Sequence, residues 1–221
     1  MQGATKLLLI SSSELGQRTP QHRNVIDAAK RAGVALIAYT SLLHADTSPL
    51  GLAAEHLETE ALIKASGIPY VLLRNGWYTE NYLARVQPAL QHNAFIGSAG
   101  AGRIASAARA DYAAAAAAVL TQEGQADKVY ELAGDEAYTL AEFAAEISRK
   151  SGKTIPYVNL PQAEFQAALE GAGLPVPLAA LSADSAAGTA KGGLFDDQHQ
   201  LCRLIGRPTT ALTTMMGMAL R

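Results

Sequence analysis

Three short apolar runs, at residues 7–10, 34–39 and 68–73, alternate with segments of helical periodicity in the first part of the chain. Continuous rather than alternating hydrophobicity marks strands buried on both faces, and strands joined through helical crossovers lie parallel to one another. The intervening segments carry their own helix signals. Thr19-Pro20 provides an N-cap followed by Pro at the first helical position, Val25, Ile26, Ala29 and Ala32 share one face, and Gly33 ends the helix. A second helix over about residues 52–66 stops at Gly67. The pattern predicts an α/β fold built on a doubly wound parallel sheet.

Beyond the third run, residues 79–91 and 111–121 read as helices, the second rich in alanine and able to pack closely. Thr139-Leu-Ala-Glu142 is a capping box that opens a further helix reaching about Lys150. Gly97, Gly100 and Gly102 are read as a turn, since no helix follows to make them a phosphate cradle. After residue 135 the pattern shifts to short helices, one strand near residues 155–158 and a Pro-punctuated stretch at 174–177. We therefore expect two units, residues 1–124 carrying the sheet and residues 125–221 forming a smaller C-terminal α+β lobe.

With 221 residues, 49% of them hydrophobic, the chain can bury a substantial core. A net charge of −2 carries no electrostatic footprint for tracking phosphates, so no nucleic-acid partner is expected. Residues 113–120, the longest apolar run, fall far short of a membrane span, and the polar Ser-Ser-Ser-Glu after residue 10 does not resemble a secretory cleavage site. A single cysteine, Cys202, excludes an intrachain disulfide. These features fit a cytoplasmic protein. The histidines, at 22, 44, 56, 92 and 199, form no metal-binding spacing, and no metal site is expected.

Ligands of open α/β sheets bind outside the carboxyl ends of the strands. The third run stops abruptly at Arg74 and continues as Asn75, Gly76, Trp77, Tyr78, Thr79 and Glu80. Asn offers a donor and acceptors, Gly allows close backbone approach, and the two aromatics supply flat apolar surface suited to a nicotinamide ring. Ser11, Ser12 and Ser13 end the first strand, and Ser41 ends the second, with His44 and Asp46 in the loop beyond. Strand-end serines also occur as plain transitions into loops, and Trp77 and Tyr78 can equally serve as core anchors. Lys191-Gly-Gly-Leu-Phe195 reads either as a simple loop or as a glycine-hinged flap over a substrate.

These segments, taken in order with Lys191-Gly-Gly-Leu-Phe-Asp-Asp197, resemble the NmrA-like atypical short-chain dehydrogenases, and among them the quinone-reducing branch. The resemblance runs from about Gly3 to the C-terminus. It implies NADPH as cofactor, hydride transfer to a quinone or similar small electrophile, and cofactor contacts from Ser11–13, Ser41 and the segment from Asn75 to Glu80.

Two departures qualify it. Members of the family open with a strand and a Gly-x-x-Gly-x-x-Gly turn that holds the pyrophosphate at a helix N-terminus, and this sequence has none. A truncated Rossmann-like sheet is expected. Loss of two or three charge-assisted bonds, each worth ~1.5 to 3 kcal/mol, removes roughly 3 to 9 kcal/mol of cofactor affinity. The strand at 7–10 then becomes an exposed edge that invites pairing and a homodimer. The second departure lies on the helix where most short-chain dehydrogenases carry a Tyr and a Lys four residues later. This chain has His56-x-x-x-Glu60 there, leaving His56 as the candidate proton donor. Two rival readings stay open, a dinucleotide-sensing regulator without turnover and an inactive fragment.

Overall fold

The computed structural model describes residues 1–14 and 16–220. In chain order the elements are β1 (Lys6–Leu9), α1 (Arg18–Arg31), β2 (Leu36–Leu42), α2 (Ala53–Ala65), β3 (Tyr70–Asn75), α3 (Thr79–Leu83), α4 (Val86–His92), β4 (Phe95–Gly97) and α5 (Arg109–Thr121). They continue with β5 (Lys128–Leu132), α6 (Leu140–Ser151), β6 (Tyr157–Asn159), α7 (Gln162–Gly171), α8 (Val176–Ala190), α9 (Gln200–Ile205) and α10 (Leu212–Ala219).

The main sheet has the order β1-β2-β3-β5, every pairing parallel. Alternate side chains go to opposite faces. Ile37, Tyr39 and Leu72 pack with Ile26, Ala29 and Ile63 of α1 and α2, whereas Ala38, Val71 and Leu73 pack with Tyr112, Ala115 and Val119 of α5. The doubly wound α/β arrangement is present, with β1 at one edge as expected. Ile10, just past β1, is 68% exposed.

The second layer is built on the parallel pair β4-β6 and is filled by Tyr82, Val86, Phe95, Tyr138, Leu140, Phe143, Ile147 and Met216. The division expected at residue 124 is crossed in both directions. β5, which follows it, covers the outer edge of β3 in the main sheet, and β4, which precedes it, pairs with β6. The predicted 79–91 helix is likewise two helices, broken at Ala84 and Arg85. Pro88 lacks the N–H that would bond the Ala84 carbonyl, so one continuous helix would leave that group unpaired.

The capping box forms as predicted. Thr139 Oγ1 accepts from the Glu142 N–H and the Glu142 carboxylate accepts from the Thr139 N–H, while Gly152 closes the helix in the left-handed region at φ 73°. Among the described residues no helix is long and apolar enough to cross a membrane.

Candidate functional site

Two cavities meet the segment that follows β3, one on each side. The first is a groove of about 420 Å³ at the carboxyl edge of β1, β2 and β3, bounded by Ile10, Thr40, Asn75, Tyr78, Arg109 and Tyr112, with the small residues Ala113, Ala116 and Ala117 of α5 as its floor. The second, about 300 Å³, lies within the other layer against Trp77, Tyr82, Arg85, Leu140, Phe165, Ser185 and Leu194. Consecutive residues therefore serve different compartments. Tyr78 borders the groove and Trp77 borders the inner cavity.

Asn75 is the central polar group of the groove. It is 5% exposed, and its Oδ1 has no hydrogen-bond partner. A buried amide oxygen left unbonded costs about 1–3 kcal/mol, so it is a natural acceptor for a ligand N–H. Gly76 follows because its backbone lies tight against the protein. Its N–H donates to the Leu132 carbonyl at 2.7 Å, and a Cβ would meet that oxygen and Tyr112 Oη at 3.1 Å. Tyr78 stands edge-on to Tyr112 at 5.4 Å, with the Arg109 guanidinium 4.7 Å over its ring. The groove thus offers aromatic surface, one cation and one unsatisfied acceptor.

The serine loop after β1 is held in place. Ser11 N–H donates to Thr40 Oγ1 at 2.8 Å, Ser12 N–H donates to His22 Nε2 at 3.0 Å, and the Ser12 carbonyl accepts from Arg18 Nε at 2.9 Å. Because His22 Nε2 accepts, Nδ1 carries the proton and points at Thr59 Oγ1, 2.9 Å away. Burial, aided by Arg18, lowers the His22 pKa to about 4 and keeps this tautomer neutral. Ser11 lies beside Thr40 at the groove, whereas Ser13 is exposed in the loop.

Several residues expected at the cofactor site face elsewhere. Ser41 and Arg74 share a register position on the α2 side of the sheet, opposite the face of Thr40 and Asn75. There the Ser41 hydroxyl donates to Glu60 at 2.6 Å, and Arg74 holds Glu60 through Nε and Nη2, both at 2.9 Å. Arg74 Nη1 also reaches Glu131 and Asp46. Thr79 turns inward to Ser106 Oγ at 2.8 Å, and the Glu80 carboxylate caps α5 by accepting from the Arg109 N–H at 2.9 Å.

His56 is not a proton donor to the crevice. It is 5% exposed on the buried face of α2, shares a 2.8 Å hydrogen bond with Tyr39 Oη, and has its pKa lowered to about 3 by burial first and then by the nearby Arg18 and His22. The Tyr39 bond at Nδ1 and the neutral charge state suit a packed core histidine.

His44 bridges the sheet edge to the C-terminal segment, its backbone N–H donating to Glu131 at 2.7 Å and its Nε2 lying 3.3 Å from Asp196. Of the two readings of residues 191–195, a simple loop and a flap, the packing fits the loop. Leu194 is 1% exposed and its carbonyl accepts from Ala105, while a Cβ on Gly193 would overlap Leu50. Sequence reasoning missed Arg109 and Tyr112, whose signal was the small-residue face of α5. It also missed Arg85 and Ser185, which are distant in sequence and meet only in the folded cavity. Among the described residues, Asp135, His199 and Cys202 bring three potential ligand atoms within 4.8 Å of one another, a grouping invisible to spacing. Two carboxylate contacts already occupy Asp135, from Thr209 N–H at 2.7 Å and His199 at 3.4 Å.

Comparison with known proteins places this geometry. The family described as NAD(P)H-binding matches residues 1–123. Quinone oxidoreductase 2 of Escherichia coli is 65% identical over 212 residues, covering 96% of this chain and 74% of that protein. The crystal structure of an NADPH-dependent quinone oxidoreductase from Escherichia coli complexed with NADPH superposes with a TM-score of 0.98 at 63% identity, over 100% of this chain and 78% of the other. The triphenylmethane reductase of Citrobacter sp., complexed with NADP(H), superposes with a TM-score of 0.94 at 35% identity, over 99% and 78% of the two chains.

Proposed function

This chain belongs to the NmrA-like NAD(P)H-binding oxidoreductases, and on that footing we propose that it is an NADPH-dependent quinone reductase. The observation that carries the reading is the buried, unpartnered Asn75 Oδ1 in an aromatic-walled groove at the strand ends, with a largely apolar cavity adjoining the same segment at Trp77. The groove fits the nicotinamide end of the cofactor, because Asn75 Oδ1 is buried without a partner in a recess walled by aromatic rings. Asn75, Thr40, Ser11 and Tyr78 are the residues that would hold it. NADPH, when bound, supplies the hydride.

The protein's own contribution is positioning and exclusion of water. Asn75 and Gly76 are anchored by β3, whose neighbours β2 and β5 pair on both sides, so the groove is rigid where orientation matters. Trp77, Leu140 and Leu194 give the cavity apolar walls that favour a flat ring. A quinone is electrophilic enough to need no general acid at the moment of transfer, which fits the absence of any Tyr–Lys pair on α2. Solvent can protonate the product oxygen afterwards, so His56 has no part in the step. Menadione is the natural acceptor with which to test this. The protein should consume NADPH at 340 nm in proportion to both protein and menadione, and absence of any protein-dependent oxidation would reject the proposal.

A further inference from the structure

The inner cavity contains a cation with no countercharge among the described residues. Arg85, at the break between α3 and α4, lies over the Phe95 ring at 4.5 Å and beside the Phe165 ring at 5.3 Å, and its Nη2 donates to the Ile96 carbonyl. Among the described residues no Asp or Glu forms an ion pair with it, in contrast to Arg18, Arg74, Arg149 and Arg207. Burial pulls its pKa below the usual arginine value, with no carboxylate among the causes, yet a guanidinium remains charged at neutral pH. A cation kept among aromatic rings and away from carboxylates is costly unless something else supplies the negative charge.

A second, independent observation points the same way. Ser185 on α8 lines this cavity, is 3% exposed, and its Oγ has no hydrogen-bond partner. Trp77, Tyr82, Phe165 and Leu194 supply much of the remaining wall, and of the other polar residues lining it Ser182 and Thr189 donate to carbonyls within α8 while Asn81 Oδ1 accepts from Arg109. Unmet polar demand is therefore concentrated at Arg85 and Ser185. With a volume of about 300 Å³ and both Trp77 and Arg85 in its wall, the cavity leaves room for a fused ring carrying a charged substituent.

We infer that the acceptor cavity selects aromatic electron acceptors bearing an anionic substituent, a sulfonate or carboxylate, which pairs with Arg85 while a ring oxygen or substituent oxygen accepts from Ser185. This rests on the quinone-reductase reading and adds the chemical class of acceptor. The guanidinium's planar fork matches a sulfonate or carboxylate better than an ammonium would.

The test compares 1,4-naphthoquinone with 1,4-naphthoquinone-2-sulfonate, binding being read without NADPH from the fluorescence of Trp77, the single tryptophan and a cavity residue. The wild-type protein should bind the sulfonate about ten-fold or more tightly than the neutral ring. In Arg85→Met the ratio of the two affinities should fall about ten- to hundred-fold, the range for a charge-assisted hydrogen bond. Arg85→Lys should retain part of the preference.

Equal affinities in the wild-type protein overturn the inference, whether or not the variants fold. So does a preference that survives in an Arg85→Met protein with unchanged circular dichroism, and so does failure of either compound to bind. The two proposals fail separately. Sulfonate preference without NADPH oxidation by either acceptor rejects the reductase reading and keeps the anion site, whereas oxidation with menadione and no sulfonate preference rejects the anion site alone.

Discussion

Replacing Arg74 by methionine should be among the most destabilising single changes in the main sheet. Arg74 is 6% exposed and Glu60 is 1% exposed, and two of the three guanidinium nitrogens, Nε and Nη2, bond the Glu60 carboxylate at 2.9 Å. Without them Glu60 keeps only the Ser41 hydroxyl at 2.6 Å and a distant Lys64 ammonium at 3.9 Å. Stranding a buried charge in this way costs about 3–5 kcal/mol, far above the 0–1 kcal/mol of a surface pair. For a chain of this length that lowers the melting temperature by roughly 6–20 °C. Thermal and urea unfolding followed by circular dichroism measure it directly. Glu60→Gln combined with Arg74→Met should lose less than the sum of the two single variants, by about 2 kcal/mol, because the second change removes the stranded charge. An Arg74→Met loss below about 1 kcal/mol, or strict additivity in the double variant, would refute the assignment of this pair as buried and coupled.

Four further predictions follow from other parts of the molecule. His22 and His56 have folded pKa values lowered to about 4 and about 3 from 6.5. Over that interval the unfolded chain binds more protons, so stability is full above pH 6.5 and declines as pH falls toward 4. His22→Gln should flatten that slope in urea titrations between pH 4 and 7. Thr139→Ala removes the side-chain half of the capping box, leaving the backbone N–H bond to the Glu142 carboxylate, and should cost about 1 kcal/mol, seen as a melting shift of roughly 2–4 °C. Gly134→Ala would drive a Cβ into the Ser106 carbonyl, and poor recovery of folded protein on expression is expected, with wild-type yield counting against the close approach. Asn75→Ala removes the orphaned acceptor and should weaken NADPH binding about five- to hundred-fold in calorimetric titration.

Much of the main sheet was legible because its signals are local. The apolar runs, Gly33, Gly67 and the Thr139 to Glu142 box each act within a few residues, and the structure places strands, stops and cap within three residues of where they were read. The crossing of the boundary at residue 124 was not legible. β5 joins β3 across more than fifty intervening positions, and its own sequence, Lys-Val-Tyr-Glu-Leu, is only half buried and lacks the continuous apolar run of a central strand.

Asn75, Tyr78 and Trp77, which line the two cavities, were singled out by the abrupt change of composition at the end of a buried strand. Ser41 and Glu80 were misassigned because composition does not reveal which face a side chain takes or whether a carboxylate is already spent on a helix end. Arg74 was visible but silent, since only folding brings Glu60, Glu131 and Asp46 to it. His56 shows the same limit from the other side, a histidine on a helix whose burial no periodicity announces.

The central claim is that the groove at the carboxyl ends of β1, β2 and β3 holds the nicotinamide, and crystals of the protein soaked with NADPH test it most directly. Nicotinamide density is expected against Tyr78, with its amide within hydrogen-bonding distance of Asn75 Oδ1. Density for the ring on the α2 side of the sheet, beside Ser41 and Glu60, would contradict it.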